Sequence, residues 1–560
     1  MATNSLVKRN PSSGEEDLET GDDGPMKRNS LPGKHPSPDI ANAELRNFQF
    51  GNVQRELKAR HVTFIALGGN LGTGLFLGIG HALRTSGSLS LFLGYLTASI
   101  AGFMMMMALG EMAAWLPLPG AIPQFCARYV DDALGFAVGW NTWFTAVITL
   151  CAEISAACSV IQFWSGADEI SIAVWIVILI IVLMVLNIIA VDVFGEFEFA
   201  CACVKLCGII GLLLVTLCID LGGVPGQPRL GFHYWKTDDI MKEYIGAGAN
   251  GRFLGFFYTL VNAQFAINGC ETVIVAAGEA ENPRRNIPRA IKRVFWRLLF
   301  FYVLAALAIG MVCPSNHPNL MGGGGSSRAQ SPWVIAVNLA GIQALPSIIN
   351  SLILIAAISS GNSYVFMGTR YLYALALNNQ APKFFLRCTK KGIPIWSLIV
   401  TMSISLLSFL SMGSSSSTAF QWFQNLATVA TLYTWCSICV AYIRFRAALK
   451  TQNVDKESIP LSFILQPYST FITLGYLCIV AFFNGFDYIA GGWNTPGFVT
   501  SYIGFPLFFG FFFFWKFFRK TRWIPSADAD LFSGKAELDA IEWPMKQPRN
   551  VLESVWLRFI

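Results

Sequence analysis

The chain has 560 residues, 54% of them hydrophobic and only 13% charged, with 45 phenylalanines and a formal net charge of +6. A water-soluble chain of this length carries about a quarter charged residues. A soluble enzyme or a nucleic-acid-binding protein is therefore excluded, and a polytopic membrane protein is indicated. Residues 1–61 are polar and rich in Ser, Pro, Gly, Asp and Lys. They contain no apolar core of a signal peptide and read as a disordered tail, so the first span acts as its own insertion signal.

A helical crossing needs about 20 apolar residues. In chain order such spans fall at 62–83, 88–115, 134–164, 172–191 and 197–221, then at 252–277, 294–313, 346–376, 394–412 and 418–443, with a last pair at 471–489 and 499–518. The expected fold is all-α, with about twelve crossings.

The first span carries Gly68-Gly69-Asn70-Leu71-Gly72-Thr73-Gly74, four glycines in seven residues. Each costs a helix interior about 1 kcal/mol relative to alanine, so a continuous helix is not expected there. Broken backbone at membrane depth survives only where protein or a polar cavity surrounds it. A half-helix starting near Gly72 would aim free N–H groups and its positive dipole end at the midplane, where a carboxylate can dock. Close helix packing through small residues is the plainer alternative. The sixth span, five spans on, is interrupted in turn by Phe265-Ala266-Ile267-Asn268-Gly269-Cys270-Glu271-Thr272. Paired interruptions in corresponding spans point to inverted repeats with a binding site between them. This divides the chain into a first repeat at 62–221, an outer loop at 222–251 and a second repeat at 252–447. Two further spans at 469–520 and a C-terminal tail at 521–560 complete it.

Basic residues mark one membrane face. Short loops there carry Arg128, the Arg284–Arg293 cluster, Lys383–Lys391 and Arg444–Lys450, and the N-terminal tail and Lys516–Arg522 fall on the same side. By the positive-inside rule both termini are cytoplasmic, which requires an even number of spans.

Ionisable residues inside spans are functional candidates by default. Glu153 lies near the middle of the third span, and a structural hydrogen bond to a neighbouring helix is its plainer reading. Glu271 follows the sixth-span break and is expected to scaffold it. Lys205 sits about 12 Å of helical rise into the fifth span, where snorkelling competes with a role in coupling. Ser359, Ser360, Asn362 and Ser363 form a small polar face on the eighth span, while Gln421, Asn425 and Thr428 share a face of the tenth. Glu111, at the end of the second span, reads as structural or gating. Most of the thirteen cysteines lie in apolar spans with no metal or disulfide spacing, and behave as small hydrophobes. The spans hold no nucleophile–base pair, so no enzyme activity and no bound cofactor are expected.

The segments Arg60-His61-Val62, Ile65-Ala66-Leu67-Gly68-Gly69 and Gly72-Thr73-Gly74-Leu75-Phe76 resemble the first span of fungal amino-acid permeases, in the amino acid–polyamine–organocation superfamily. The resemblance continues through Ala108-Leu109-Gly110-Glu111-Met112, Phe136-Ala137-Val138-Gly139-Trp140-Asn141, Gly278–Arg284, Ile287-Pro288-Arg289-Ala290 and Ser360-Gly361-Asn362-Ser363. It covers 61–518 in register.

It implies a leucine-transporter-like fold of five-plus-five inverted repeats, with broken first and sixth helices and two added C-terminal helices. It also implies proton-coupled amino-acid uptake across the plasma membrane, the proton being the coupling ion. Amides around Gly72, Thr73 and Gly74 would hold the substrate carboxylate, with Gly68 and Asn70 also at the substrate site. Carbonyls around Phe265, Ala266 and Asn268 would receive the ammonium, with Gly269 and Glu271 also at the substrate site. Lys205 matches the lysine that proton-coupled relatives place where sodium-coupled ones bind an ion, with Glu153 as the second coupling candidate. Lys8, Lys27 and Lys34 in the tail are expected targets of ubiquitin-ligase machinery. The expected partners are the amino-acid substrate and membrane lipid. The sixth-span sequence Asn268-Gly269-Cys270-Glu271 departs from the family's commoner small residue, glycine, Thr-Glu. That departure leaves the exact substrate open, including a polyamine or carnitine-like amine. A non-transporting sensor of the same fold is the other alternative.

Overall fold

Apolar runs of this length bury their backbone polar groups by closing them into helices, the form in which a single segment satisfies itself in lipid. The computed structural model of the protein describes residues 71–118, 120–167, 169–189, 191–236, 240–274, 283–320, 330–389, 392–455 and 459–535. All regular structure among them is helical, apart from two isolated β-bridges. A π-helical turn over Gly74–Gly78 leads into α1 (Ile79–Trp115). The backbone of α1 leaves the helical region at Gly87 (φ 82°, ψ 172°), so this element is two crossings joined at a corner. There follow α2 (Ala121–Tyr129), α3 (Asp132–Ile161), α4 (Ile172–Ile189) and α5 (Val191–Leu221). The second half comprises α6 (Gly248–Ile267), α7 (Pro283–Arg297), a π-turn at Leu298–Val303, α8 (Leu304–Val312), α9 (Pro332–Leu339), α10 (Leu345–Leu377), α11 (Ile395–Ile404) and α12 (Ser416–Thr451). The chain closes with α13 (Tyr468–Phe482), α14 (Asp487–Ala490), α15 (Thr495–Tyr502) and α16 (Gly504–Arg519).

Among the described residues, 9 helical segments are long and apolar enough to cross a membrane. Splitting the first at Gly87 and adding α4 and α6 accounts for about twelve crossings. α6 falls short on apolarity because Asn262 and Gln264 interrupt it, both buried. A span that is polar and yet buried faces protein, not lipid.

Packing sorts the helices into two groups. α1 lies against α6, α7 and α8; α3 lies against α4, α10 and α12, and α10 also meets α11. α5 touches both groups, through α8 on one side and α10 on the other. The last helix is largely surface: Phe513, Phe514, Phe517 and Phe518 are exposed, as lipid-facing residues should be. Phe508 is buried, and so is Trp515. It stacks on Phe136 at 4.1 Å between centroids and donates its indole N–H to Asp132 at 2.7 Å.

The segment after α16 does more than its composition suggests. Residues 521–535 run across the end of the bundle that carries Trp115 and Arg128. There Trp115 Nε1 donates to the Leu531 carbonyl at 2.9 Å, Ile524 N to Val130 O at 2.9 Å, and Gln452 Nε2 to Ala529 O at 2.8 Å. Arg128 pairs with Asp530 at 3.3 Å. At the same end Glu111 accepts from the Tyr442 hydroxyl and from Phe463 N (2.7 Å), with Arg446 at 3.6 Å. These contacts tie the end of the second span to α12 and to Phe463.

Candidate functional site

Leu71 and Gly72 lie outside any helix, and helical backbone begins at Thr73. Gly68 and Asn70, like Lys8, Lys27 and Lys34, fall outside the described residues. In the sixth span, α6 ends at Ile267, and Asn268 turns the chain out of the helix (φ −47°, ψ 142°). Gly269 takes a left-handed φ of 86°, which favours glycine. Helical backbone resumes at Thr272. The two interruptions meet: a Cβ placed on Gly74 would stand 3.0 Å from both Ala266 Cα and Phe265 Cδ1. Asn262 Nδ2 donates to Gly78 O at 3.1 Å and accepts from the Tyr95 hydroxyl at 3.2 Å, which fixes α6 to the first span. Phe265 packs edge-on against Phe420 of α12, 5.8 Å between centroids. Just before α9, Ser331 Oγ donates to Phe76 O at 2.6 Å, closing the end of the bundle away from the Trp115 end.

Glu153 reaches the first break directly. Thr73 N donates to both of its carboxylate oxygens at 3.3 Å, and Ser360 Oγ donates to Oε1 at 3.0 Å. A Cβ on Gly72 would fall 2.0 Å from that same Oε1. The amide expected to meet a substrate carboxylate thus already holds a carboxylate of the protein. Glu271 accepts from Trp435 Nε1 at 3.1 Å, joining the sixth-span break to α12, and buried Arg297 is in electrostatic reach. Thr73 Oγ1 and Asn268 Nδ2, one in each break, are buried and make no hydrogen bond within the described protein.

Lys205 on α5 is fully buried, with Glu153, Glu198 and Arg297 among its electrostatic partners. Burial to this degree removes the snorkelling alternative, since the head group is not at a water-exposed rim. Glu198 is equally enclosed; Ser359 Oγ donates to it at 2.8 Å and Asn362 Nδ2 at 3.0 Å. Asn187 Nδ2 in turn donates to Asn362 Oδ1 at 2.8 Å. The polar face of the eighth span is therefore the cradle of two buried acids.

Glu198, Arg297 and Trp435 are not singled out by the sequence patterns. A signal existed for the first: Glu198 precedes Lys205 by seven residues on the same helix, two turns apart on one face. Of the expected polar face of the tenth span, Asn425 points to Tyr488 (3.3 Å) and Thr428 bonds its own helix. Gln424 is the residue that approaches the first span, 3.5 Å from where a Gly78 Cβ would stand.

The chain matches the amino acid permease family profile over residues 61–526. It is 42% identical over 503 residues to a probable proline-specific permease of Schizosaccharomyces pombe, covering 87% of this chain and 90% of the relative. A proline-specific permease of Emericella nidulans is 38% identical over 513 residues (90% and 93% covered), and a lysine-specific permease of Saccharomyces cerevisiae 36% over 516 residues (92% and 84%). Among solved structures, the manganese transporter of Eremococcus coleocola superposes with a TM-score of 0.53 at 12% identity, covering 82% of this chain and 94% of that one. That likeness shows a leucine-transporter-type fold.

Proposed function

The chain belongs to the amino acid permease family, and from that premise we propose that it takes up a neutral amino acid, proline first among candidates, together with a proton. The observation that carries this reading is the contact between the two broken spans, Gly74 against Phe265 and Ala266, with a buried carboxylate on the amide of Thr73. The substrate's carboxylate would find Thr73 Oγ1 and Asn268 Nδ2, and its ammonium the carbonyls at the end of α6. Both neighbouring acids are already engaged, Glu153 by Thr73 and Ser360 and Glu271 by Trp435. The wall is aromatic, through Phe265 and Phe420. A neutral side chain suits that environment better than a basic one, in keeping with the proline-specific names of two relatives.

Coupling follows from charge. Two carboxylates at one helix end repel each other unless one carries a proton. Proton entry at Glu153 would therefore favour substrate entry beside it. The Ser360 hydroxyl can donate to the carboxylate or accept from the protonated acid, so the change needs no rebuilding. We place the protein in the plasma membrane with the basic loops and both termini in the cytoplasm.

A panel of labelled amino acids, offered to permease-deleted yeast expressing the chain at two external pH values, tests this. Accumulation of proline or a similar neutral amino acid, stronger at acidic pH and not displaced by decarboxylated analogues, is expected. Accumulation indifferent to pH would remove the proton, and displacement by amines would remove the carboxylate site. For the tail, Lys8, Lys27 and Lys34 are proposed ubiquitin acceptors. Changing all three to arginine should hold the protein at the cell surface during excess substrate, as seen by microscopy of a tagged chain. Unchanged internalisation would assign the signal to other lysines.

A further inference from the structure

Glu153, Glu198 and Glu271 are three buried carboxyl groups around the broken spans, and their hydrogen-bond partners divide them. Glu271 is held by an indole N–H, which donates to a carboxylate or to the carbonyl oxygen of a carboxylic acid but cannot accept the acid's O–H. Glu153 and Glu198 are each held by a serine hydroxyl, Ser360 and Ser359 respectively, adjacent residues of α10. A hydroxyl donates to a carboxylate and, by turning its hydrogen, accepts from the protonated acid without moving a heavy atom. These two acids, each with one hydroxyl able to accept the acid's proton beside the N–H donors of Thr73 and Asn362 respectively, are also the two carboxyl groups among the electrostatic partners of Lys205.

Glu198 stands seven residues before Lys205 on α5, about 10.5 Å of rise toward the Val191 end. By the alternation of spans that end belongs to the face of the basic loops. α5 packs on both helix groups, as α12 also does, so its position is set by both. We propose that Glu198 is the inward proton station of the transport cycle, receiving the proton that Lys205 carries from the Glu153 side. In the step itself an N–H bond of the Lys205 ammonium breaks and an O–H bond forms on Glu198, leaving a neutral amine and a carboxylic acid. The acid then loses its proton to water on the cytoplasmic face and is a carboxylate again. Lys205 is recharged by way of Glu153, so one proton crosses per cycle.

The groups facing Glu198 are consistent with this task. Lys205 and Cys201 lie on its own helix, with Glu153 on α3 and Arg297 on α7 linked to it through Lys205. From α10 and α4 come the neutral Ser359, Asn362 and Asn187, and α8 has no titratable side chain.

The inference rests on the proton-coupled reading above, and one experiment separates their fates. The full chain, purified and placed in liposomes, is loaded with labelled proline under an acid-outside gradient, and counterflow exchange is measured without a gradient. A one-proton symporter can reach about tenfold accumulation per pH unit. Wild type that exchanges but never accumulates would overturn the coupled reading and this one with it. With wild type accumulating, Glu198→Gln should bring the ratio close to one while counterflow stays within about twofold, since the exchange cycle needs no proton release. Ser359→Ala, which removes one donor and no charge, should shift the dependence of accumulation on internal pH. Wild-type accumulation by Glu198→Gln, or equal loss of accumulation and counterflow, overturns the proposal while leaving proton coupling intact. Should Glu198→Gln fail to reach the membrane, Ser359→Ala decides, an unchanged pH profile being the negative result.

Discussion

Gly72→Ala should abolish uptake in a chain that still reaches the membrane. The added Cβ would stand 2.0 Å from Glu153 Oε1 and 2.8 Å from Ser360 Oγ, so the carboxylate must move by more than an atom's tolerance. Moving it breaks the contacts to Thr73 N and Ser360 Oγ together. Hydrogen bonds to a charged group are each worth about 1.5–3 kcal/mol, and about 1.4 kcal/mol is tenfold in an equilibrium, so a loss of at least about 10²-fold in uptake efficiency is expected. Gly74→Val should match it for a different reason. Its Cβ meets the Ala266 Cα at 3.0 Å, a backbone atom that cannot swing aside, and valine adds two methyl groups there. Gly78→Ala is the control: its nearest neighbour is Gln424 Oε1 at 3.5 Å, ordinary contact, and it should transport normally. Uptake kinetics with surface localisation check all three. Normal transport by Gly72→Ala would detach Glu153 from the site.

The parts of this molecule that could be read from the chain are those governed by composition along one segment. Lengths of apolar run give the crossings, glycine density in the first span marks where helical backbone begins, and Asn268-Gly269 in the sixth marks where a helix stops. What could not be read is which helix supplies the partner. Glu271 is an obvious carboxylate at membrane depth, yet nothing in its neighbourhood names Trp435, 164 positions away. Serines 359 and 360 look like packing residues until their hydroxyls are seen to hold separate acids. Likewise 521–535 reads only as part of a C-terminal tail. Its docking depends on backbone carbonyls, which every sequence has, meeting the Trp115 indole and the Gln452 amide. Among its apolar clues are Leu531, which is buried, and Phe532, which meets the Trp115 ring edge-on.

Lys205→Met should uncouple transport from the proton gradient while leaving the site able to bind and exchange substrate. Methionine keeps the length and flexibility of the lysine stem and removes only the ammonium. Glu153 and Glu198 would then lose a positive partner that they share. Removing one partner from a buried charge cluster costs about 3–5 kcal/mol unless a proton replaces it. With Ser359 and Ser360 as partners, both acids can take that proton, so the variant should fold, with a lowered melting temperature that recovers at acidic pH. Accumulation, up to about tenfold per pH unit in a one-proton symporter, should fall to near equilibrium, and counterflow should persist. Lys205→Arg sharpens the test, because arginine keeps the charge but cannot be deprotonated in a protein. If Lys205 only balances charge, arginine restores accumulation. If it hands on a proton, arginine binds substrate and still fails to accumulate it, and full pH-driven accumulation in either variant would move the coupling to the acids, Glu153 first.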